Sequence, residues 1–331
     1  MERFALAAAV VLGFALTAAL CSLFVPLRRV LERREQNQQP VQSEQPRPAP
    51  LRAPLWGGLC AAAGTVAAVG VGWLVACVGQ PELLGSEGRL MTRLLTALAG
   101  SLAFGAVGLA EDLARMRSPA ALGLRRDVRL LLEALAAAFV LLLLQAAGCL
   151  PRGLDVPGAG YVLLGSAVPF LWAVLMVALA ECARIAERDE GTVCGAAFVA
   201  MLVLMMAEAG LGVPGLAVLP AALAGALVAL LLWAFPPARL GVGCCGSLLA
   251  AGAIGCIPLS LDMTSLTVPL ALPFWAAGGL LAAQLLGAKR TGKPLRCWVK
   301  KHKMSPETVF LCSFALSAVG YVLALALLRW C

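Results

Sequence analysis

The chain has 331 residues, of which 61% are hydrophobic and 13% charged, with a mean hydropathy of +0.90. That composition excludes a soluble domain with a solvated surface and points to a membrane protein. The formal net charge of +8 suits anionic lipid heads or a phosphorylated substrate, and nothing in it calls for nucleic acid.

A bilayer-spanning helix needs about 20 mainly apolar residues. Taken in chain order, ten stretches meet that need, near 4–26, 55–79, 94–110, 128–148, 161–180, 193–209, 215–234, 246–261, 266–286 and 309–329. The short alternating segments of a closed barrel are absent, so the spans are predicted as helices. The expected fold class is therefore all-α, a single polytopic membrane domain over residues 1–331 with about ten transmembrane helices. The first apolar run is longer than a signal-peptide core and ends in "LFVPLRR" without a small-residue cleavage site, which reads as a retained helix. The polar, proline-rich loop at 27–54 cannot bury a core and is expected to be mobile.

Lysine and arginine set the orientation. If the first helix runs outside to inside, the loops at 27–54, 111–129, 181–192, 235–245 and 287–307 hold 21 of the 26 Lys and Arg residues. Both chain ends are then expected outside the cell membrane, with function in the cytoplasmic loops. Twelve cysteines without a CxxC pair, beside a single histidine, His302, argue against zinc and read as small packing residues. A small-solute transporter would place ionisable groups at mid-bilayer depth. Here most charges fall at helix ends, with Glu133 and Glu208 near the ends of their spans.

Three of those loops carry candidate chemistry. "VGLAEDLARMRSPAALGLRRDVRLLLEAL" sets Glu111 and Asp112 at the end of the third span, followed by Arg115, Arg117, Arg125, Arg126 and Arg129. Adjacent carboxylates can hold a hard cation, which neutralises a diphosphate, and an interfacial cap is the competing account. "ALAECARIAERDEGTVCG" spaces Glu181, Arg184 and Glu187 three residues apart, on one helical face, before Glu190 and Gly191. "GVGCCGSLL", residues 241–249, frames Cys244 and Cys245 with Gly243 and Gly246, a turn suited to a phosphate that lacks the carboxylate expected there.

In order and spacing these loops resemble the polyprenyl-phosphate N-acetylhexosamine-1-phosphate transferases, closest to the bacterial phospho-N-acetylmuramoyl-pentapeptide transferases. "FPPARLGVGCCGSLLAAGAIG" matches the family's Pro-Ala-Lys-x-Phe-Met-Gly-Asp-Thr-Gly-Ser-Leu segment at Pro237, Ala238, Gly243, Gly246, Ser247 and Leu248, with Arg239 for lysine. The family's magnesium-binding aspartate falls on Cys244, its uracil-stacking aromatic on Gly241 and its asparagine on Ala234. "RAPLWGGLC" keeps Pro54, Gly57 and Gly58 of a second segment. The Asp-Asp pair falls on Glu111 and Asp112, and the lysine after it on Arg115. The Asn-x-x-Asn-x-x-Asp-Gly-x-Asp-Gly segment falls on Glu181, Arg184, Glu187, Arg188, Glu190 and Gly191. The last loop keeps Thr291, Gly292 and Lys293 but has His302 in place of three consecutive histidines.

The resemblance implies a magnesium-dependent transfer of a phospho-sugar from a uridine diphosphate donor to polyprenyl phosphate, in the company of cell-wall synthesis membrane proteins. It puts Glu111, Asp112 and Glu187 in catalytic positions and Asp112 with Cys244 in metal positions. Substrate-binding positions fall on Arg115, Arg129, Arg184, Glu190, Gly243, Gly246, Ser247, Lys293 and His302. A neutral thiol is a poor ligand for magnesium, which prefers oxygen, and a misplacement of ~1 Å costs on the order of a hundredfold in rate. The expectation is a degenerate site. The alternative is a non-catalytic relative that binds polyprenyl phosphate or a partner membrane enzyme.

Overall fold

A computed structural model describes residues 2–38, 56–79, 89–117, 123–151, 153–156, 160–163, 165, 167–187, 191–211, 215–235, 238–286 and 305–328. The chain is an all-α polytopic membrane protein. Its helices are α1 (Glu2–Gln38), α2 (Gly57–Gly79), α3 (Arg89–Arg117), α4 (Arg126–Ala146), α5 (Ala167–Ala186) and α6 (Thr192–Gly210). They continue with α7 (Val218–Ala234), α8 (Gly243–Ser260), the short α9 (Thr267–Leu270), α10 (Leu272–Leu286) and α11 (Pro306–Leu328).

Each of the ten apolar stretches falls on helix over most of its length. Among the described residues, seven helices are long and apolar enough to cross a membrane, and Val218–Ala234 is a shorter apolar helix. Two stretches differ in detail from continuous helix. Residues 161–163, at the start of the fifth, belong to a hairpin in which β1 (Gly153–Val156) pairs antiparallel with β2 (Gly160–Leu163) in the register Gly153 to Leu163. The glycines and proline of "GLDVPGAGYVL" favour a tight reversal over a helix start. The ninth is broken: a 3-10 turn at Thr264–Leu266 leads into α9, and Ala271 separates α9 from α10. Pro269 and Pro273 flank that break, as residues without backbone donors should. At the break Gly320 of α11 backs onto the Pro269 carbonyl. Helix α1 runs on to Gln38, into the first part of the loop expected at 27–54, and residues 39–54 of that loop lie outside the described residues.

The bundle is organised around α8, every residue of which is buried. Helices α2, α3, α5 and α6 pack on it. No hydrophobic force drives helices together in lipid, so close approach depends on small residues at the seams. The α3–α8 seam follows that rule: Gly108 and Gly105 lie against Cys244, Cys245 and Leu249, and Gly252 lies against Ser101 and Phe104. Large apolar side chains such as Leu131, Leu135, Phe170, Leu311 and Val322 face outward, as they do on helices solvated by acyl chains.

Candidate functional site

The ends of α3, α4, α5 and α8 bring the charged residues together. The first turn of an α-helix leaves backbone N–H groups without intrahelical partners. In α8 its own N-cap residue, Val242, offers no side-chain bond, and the cap comes from another helix. Cys244 N–H donates to Asp112 Oδ1 at 3.0 Å and Cys245 N–H to Asp112 Oδ2 at 2.9 Å. Asp112 is 1% exposed. Gly243 opens α8 with φ +72°, in the left-handed region that glycine enters without strain. Ser247 is buried and donates to the Cys244 carbonyl at 3.1 Å, inside its own helix.

The glycine frame approaches protein backbone on both sides. A Cβ on Gly58 would stand 2.1 Å from the Gly246 nitrogen, and one on Gly108 would stand 2.2 Å from the Cys244 carbonyl oxygen. Gly57 N–H and Gly58 N–H donate to the carbonyls of Gly241 and Val242 at 3.2 and 2.9 Å. Helix α2 thus docks its first residues on the turn, with Trp56 stacked on Phe24 of α1 at 5.6 Å between centroids. Gly57, Gly58, Gly243 and Gly246 serve this joint.

Around Asp112 the charges pair internally. Arg115 Nη2 donates to Glu111 Oε1 at 2.6 Å while its Nη1 lies 3.8 Å from Asp112 Oδ1, so one guanidinium spans the two adjacent carboxylates. Arg129 is the hub of a second set: its Nε donates to Glu181 at 2.8 Å, and it lies 3.7 Å from Glu111 and 4.0 Å from Glu133. Arg184 donates to the other oxygen of Glu181. Glu133 is fully buried and neither of its oxygens has a hydrogen-bond partner. Cys244 is buried within electrostatic reach of Glu111, Asp112, Arg115 and Glu187.

Of the sequence-derived candidates, the structure therefore gathers Glu111, Asp112, Arg115, Arg129, Glu181, Arg184, Glu187, Cys244, Gly243, Gly246 and Ser247 at one end of the bundle. Glu190, Lys293 and His302 lie outside the described residues. Reading the sequence missed that Glu133 belongs here, although its i,i+4 spacing from Arg129 was visible. Glu208 is buried in α6, away from this network. Among the described residues, no group of three or more Asp, Glu, His or Cys side chains is placed to hold a metal ion. Arg117, Arg125 and Arg126 are exposed beside the cluster.

The apolar helices and the ion-paired end built on α3, α4, α5 and α8 define a polytopic helical membrane protein with its charged residues gathered at one end of the bundle. The chain belongs to glycosyl transferase family 4, whose model matches residues 94–262, the segment that carries most of α3, all of α8 and every ion pair described above. It is similar to the phospho-N-acetylmuramoyl-pentapeptide-transferase of Mycobacterium bovis (strain BCG / Pasteur 1173P2), 27% identical over 265 residues that cover 72% of each chain. The enzyme of the same name from Synechococcus sp. (strain RCC307) is 30% identical over 212 residues, 63% of this chain and 55% of that one. The one from Desulforudis audaxviator (strain MP104C) is 31% identical over 170 residues, covering 48% and 50%. The chain is thus a divergent member of a membrane phospho-sugar transferase family.

Proposed function

We propose that this chain keeps the family scaffold and a binding site for polyprenyl phosphate while its phospho-sugar transfer site has lapsed. The observation that carries the reading is Asp112, whose two oxygens both serve the backbone N–H groups of α8. Glu111 Oε1 is committed to Arg115 and both oxygens of Glu181 to arginines. Magnesium asks for near-octahedral oxygen coordination, and position 244 offers a buried thiol. The residues present do not fit that ion, so no transfer step is derived through it.

Lipid binding makes smaller demands. Exposed apolar side chains, including Val268 of α9, supply a surface for an acyl-like chain. Arg117, Arg125 and Arg126 are exposed at the charged end, where each cation near the surface contributes about 1 kcal/mol of attraction to anionic lipid. The sequence-level assignment of substrate binding to Arg115, Arg129 and Arg184 shifts accordingly to these three arginines, because the former are held by carboxylates.

Purified protein is offered a panel of uridine diphosphate sugars with polyprenyl phosphate and magnesium, and its binding of polyprenyl phosphate is compared with that of uncharged polyprenol. The expected result is no release of uridine monophosphate, tighter binding of the phosphate, and loss of that preference in R125A/R126A. Sustained release of uridine monophosphate overturns the lapsed site; equal affinity for phosphate and alcohol overturns the lipid-phosphate role.

A further inference from the structure

At the joint between α3 and α8, two carboxylates are adjacent in sequence, one is wholly buried against a helix N-terminus, and a guanidinium lies across both. We infer that this joint is closed by a resident cation, the Arg115 guanidinium, together with two backbone amides of α8, and that Cys244 is the substitution that makes the closure independent of a divalent metal ion. The inference deepens the lapsed-site reading and stands apart from the lipid-phosphate role.

The physical case rests on charge and geometry. A carboxylate that accepts two N–H bonds at the start of a helix meets the positive end of the helix dipole, and charge-assisted bonds of this kind are the strong ones. Asp112 receives both bonds from consecutive residues, so it fixes the position and the rotation of the first turn of α8 relative to α3. The two backbones are already in contact one turn away, at Gly108 and Cys244. The spanning guanidinium supplies the positive charge: 2.6 Å to Glu111 and 3.8 Å to Asp112. Arginine's fork suits two acceptors where a lysine point charge serves one.

A carboxylate at position 244 would stand in the buried field of Glu111, Asp112 and Glu187, all within its electrostatic reach, and only a further cation could offset it. The thiol, which is 0% exposed, avoids that charge. Cys244 is thus a positioning residue through what it omits.

The experiment uses the full chain in detergent and reads the midpoint of thermal unfolding in EDTA and in millimolar magnesium or manganese. The wild-type midpoint is expected to be the same in both. Asp112→Asn keeps the shape but loses one acceptor and the charge, and its midpoint should fall equally in both media. Cys244→Asp should melt lower than wild type in EDTA and recover with magnesium or manganese, whereas Cys244→Ser should show no metal response. Equilibrium dialysis of the wild-type protein against manganese supplies a reading that survives if Cys244→Asp fails to fold. A wild-type midpoint that climbs with metal concentration, stoichiometric manganese on the wild-type chain, or a folded Cys244→Asp indifferent to metal each overturns the inference. None of these readings depends on lipid binding, so failure of the lipid-phosphate role leaves them unchanged, and their failure does not touch that role.

Discussion

Two glycines on one face of α3 give a paired test of how tightly this helix is held against α8. A Cβ built on Gly108 would lie 2.2 Å from the Cys244 carbonyl oxygen, 2.5 Å from its carbon and 2.7 Å from the Cys245 nitrogen. All three are backbone atoms, and reaching the 3.4 Å of ordinary contact requires α3 and α8 to separate by about 1.2 Å. Overpacking of that kind costs about 1–3 kcal/mol. The same movement stretches both Asp112 bonds, and charge-assisted hydrogen bonds are worth about 1.5–3 kcal/mol. The gain in helix propensity from Gly to Ala offsets about 1 kcal/mol, which leaves Gly108→Ala destabilised by about 1.5–5 kcal/mol. Gly105, one turn earlier, meets Leu249 Cδ1 at 3.3 Å and Cβ at 3.4 Å, with the Cys245 oxygen at 3.8 Å. There a methyl group displaces only the end of a flexible side chain, and Gly105→Ala should be neutral or stabilised by up to about 1 kcal/mol. Buried cysteines make the assay direct: Cys21, Cys60, Cys194, Cys244, Cys245 and Cys256 are hidden in the native fold, so a thiol-reactive dye reports unfolding. At about 2–4 °C per kcal/mol, the two variants should separate by several degrees or more. Equal midpoints for Gly108→Ala and wild type, or equal damage at both glycines, would refute the close α3–α8 joint.

Two further outcomes follow from the same geometry. Arg129→Ala removes the hub from three glutamates and should cost about 3–5 kcal/mol, as expected when a buried pair loses one partner; Glu133→Gln, which alters a buried carboxyl group whose oxygens have no hydrogen-bond donor, should cost far less in the same dye assay, and the reverse order would sink the hub assignment. Single cysteines at Arg117 and at Tyr161, introduced where the other reactive thiols are replaced, should be labelled by an impermeant maleimide from opposite faces of the membrane, with Arg117 cytoplasmic; labelling of both from one face would contradict the orientation drawn from the lysine and arginine distribution.

Hydropathy alone made the ten apolar stretches legible, because an acyl environment tolerates little else over about 20 residues. It could not see the hairpin at 153–163, whose strands are shorter than any hydropathy window and whose signal lies in turn residues. Loop order also brought out the candidate set, and Glu111, Asp112, Arg115, Arg129, Glu181, Arg184, Glu187 and Cys244 do meet at one end. What the sequence left undecided was the partner of the glycine turn. A glycine that admits a phosphate and one that admits a neighbouring backbone look alike in one dimension, since both need only the absence of a Cβ. The contacts of Gly58 with Gly246 and of Gly108 with Cys244 show a neighbouring backbone at these glycines. Arginines posed a similar ambiguity. Arg115 and Arg129 read as ligands for a phosphorylated substrate, and their committed partners emerge only when α3, α4 and α5 are brought side by side.

The departures from the family pattern gain sense when they are taken together as a charge ledger. Where the resemblance has a lysine, Arg115 spans Glu111 and Asp112, which a point charge on a flexible stem does less well. Where it has two neutral asparagines, Glu181 and Arg184 form an ion pair with each other, and Glu181 also takes the Nε of Arg129. Where it has a second buried aspartate, Cys244 carries no carboxylate. Taken singly, the changes at 181 and 184 would leave buried charge under-compensated, and an unpaired buried charge is among the more expensive faults a protein interior can carry. Glu181 without Arg184 would lose one of its two donors, and Arg184 without Glu181 would lose its carboxylate partner. Made jointly, the changes leave arginines and carboxylates that pair with one another across α3, α4 and α5, with Asp112 bonded to the backbone of α8 and Glu133 left without a hydrogen-bond donor. A site that must admit a cation and a diphosphate needs the opposite, groups whose charge is compensated only when substrate arrives. The pairing of Arg115, Arg129 and Arg184 with Glu111 and Glu181 therefore fits the proposed reading of a structural end-piece of the bundle, in which the exposed Arg117, Arg125 and Arg126 would meet anionic lipid.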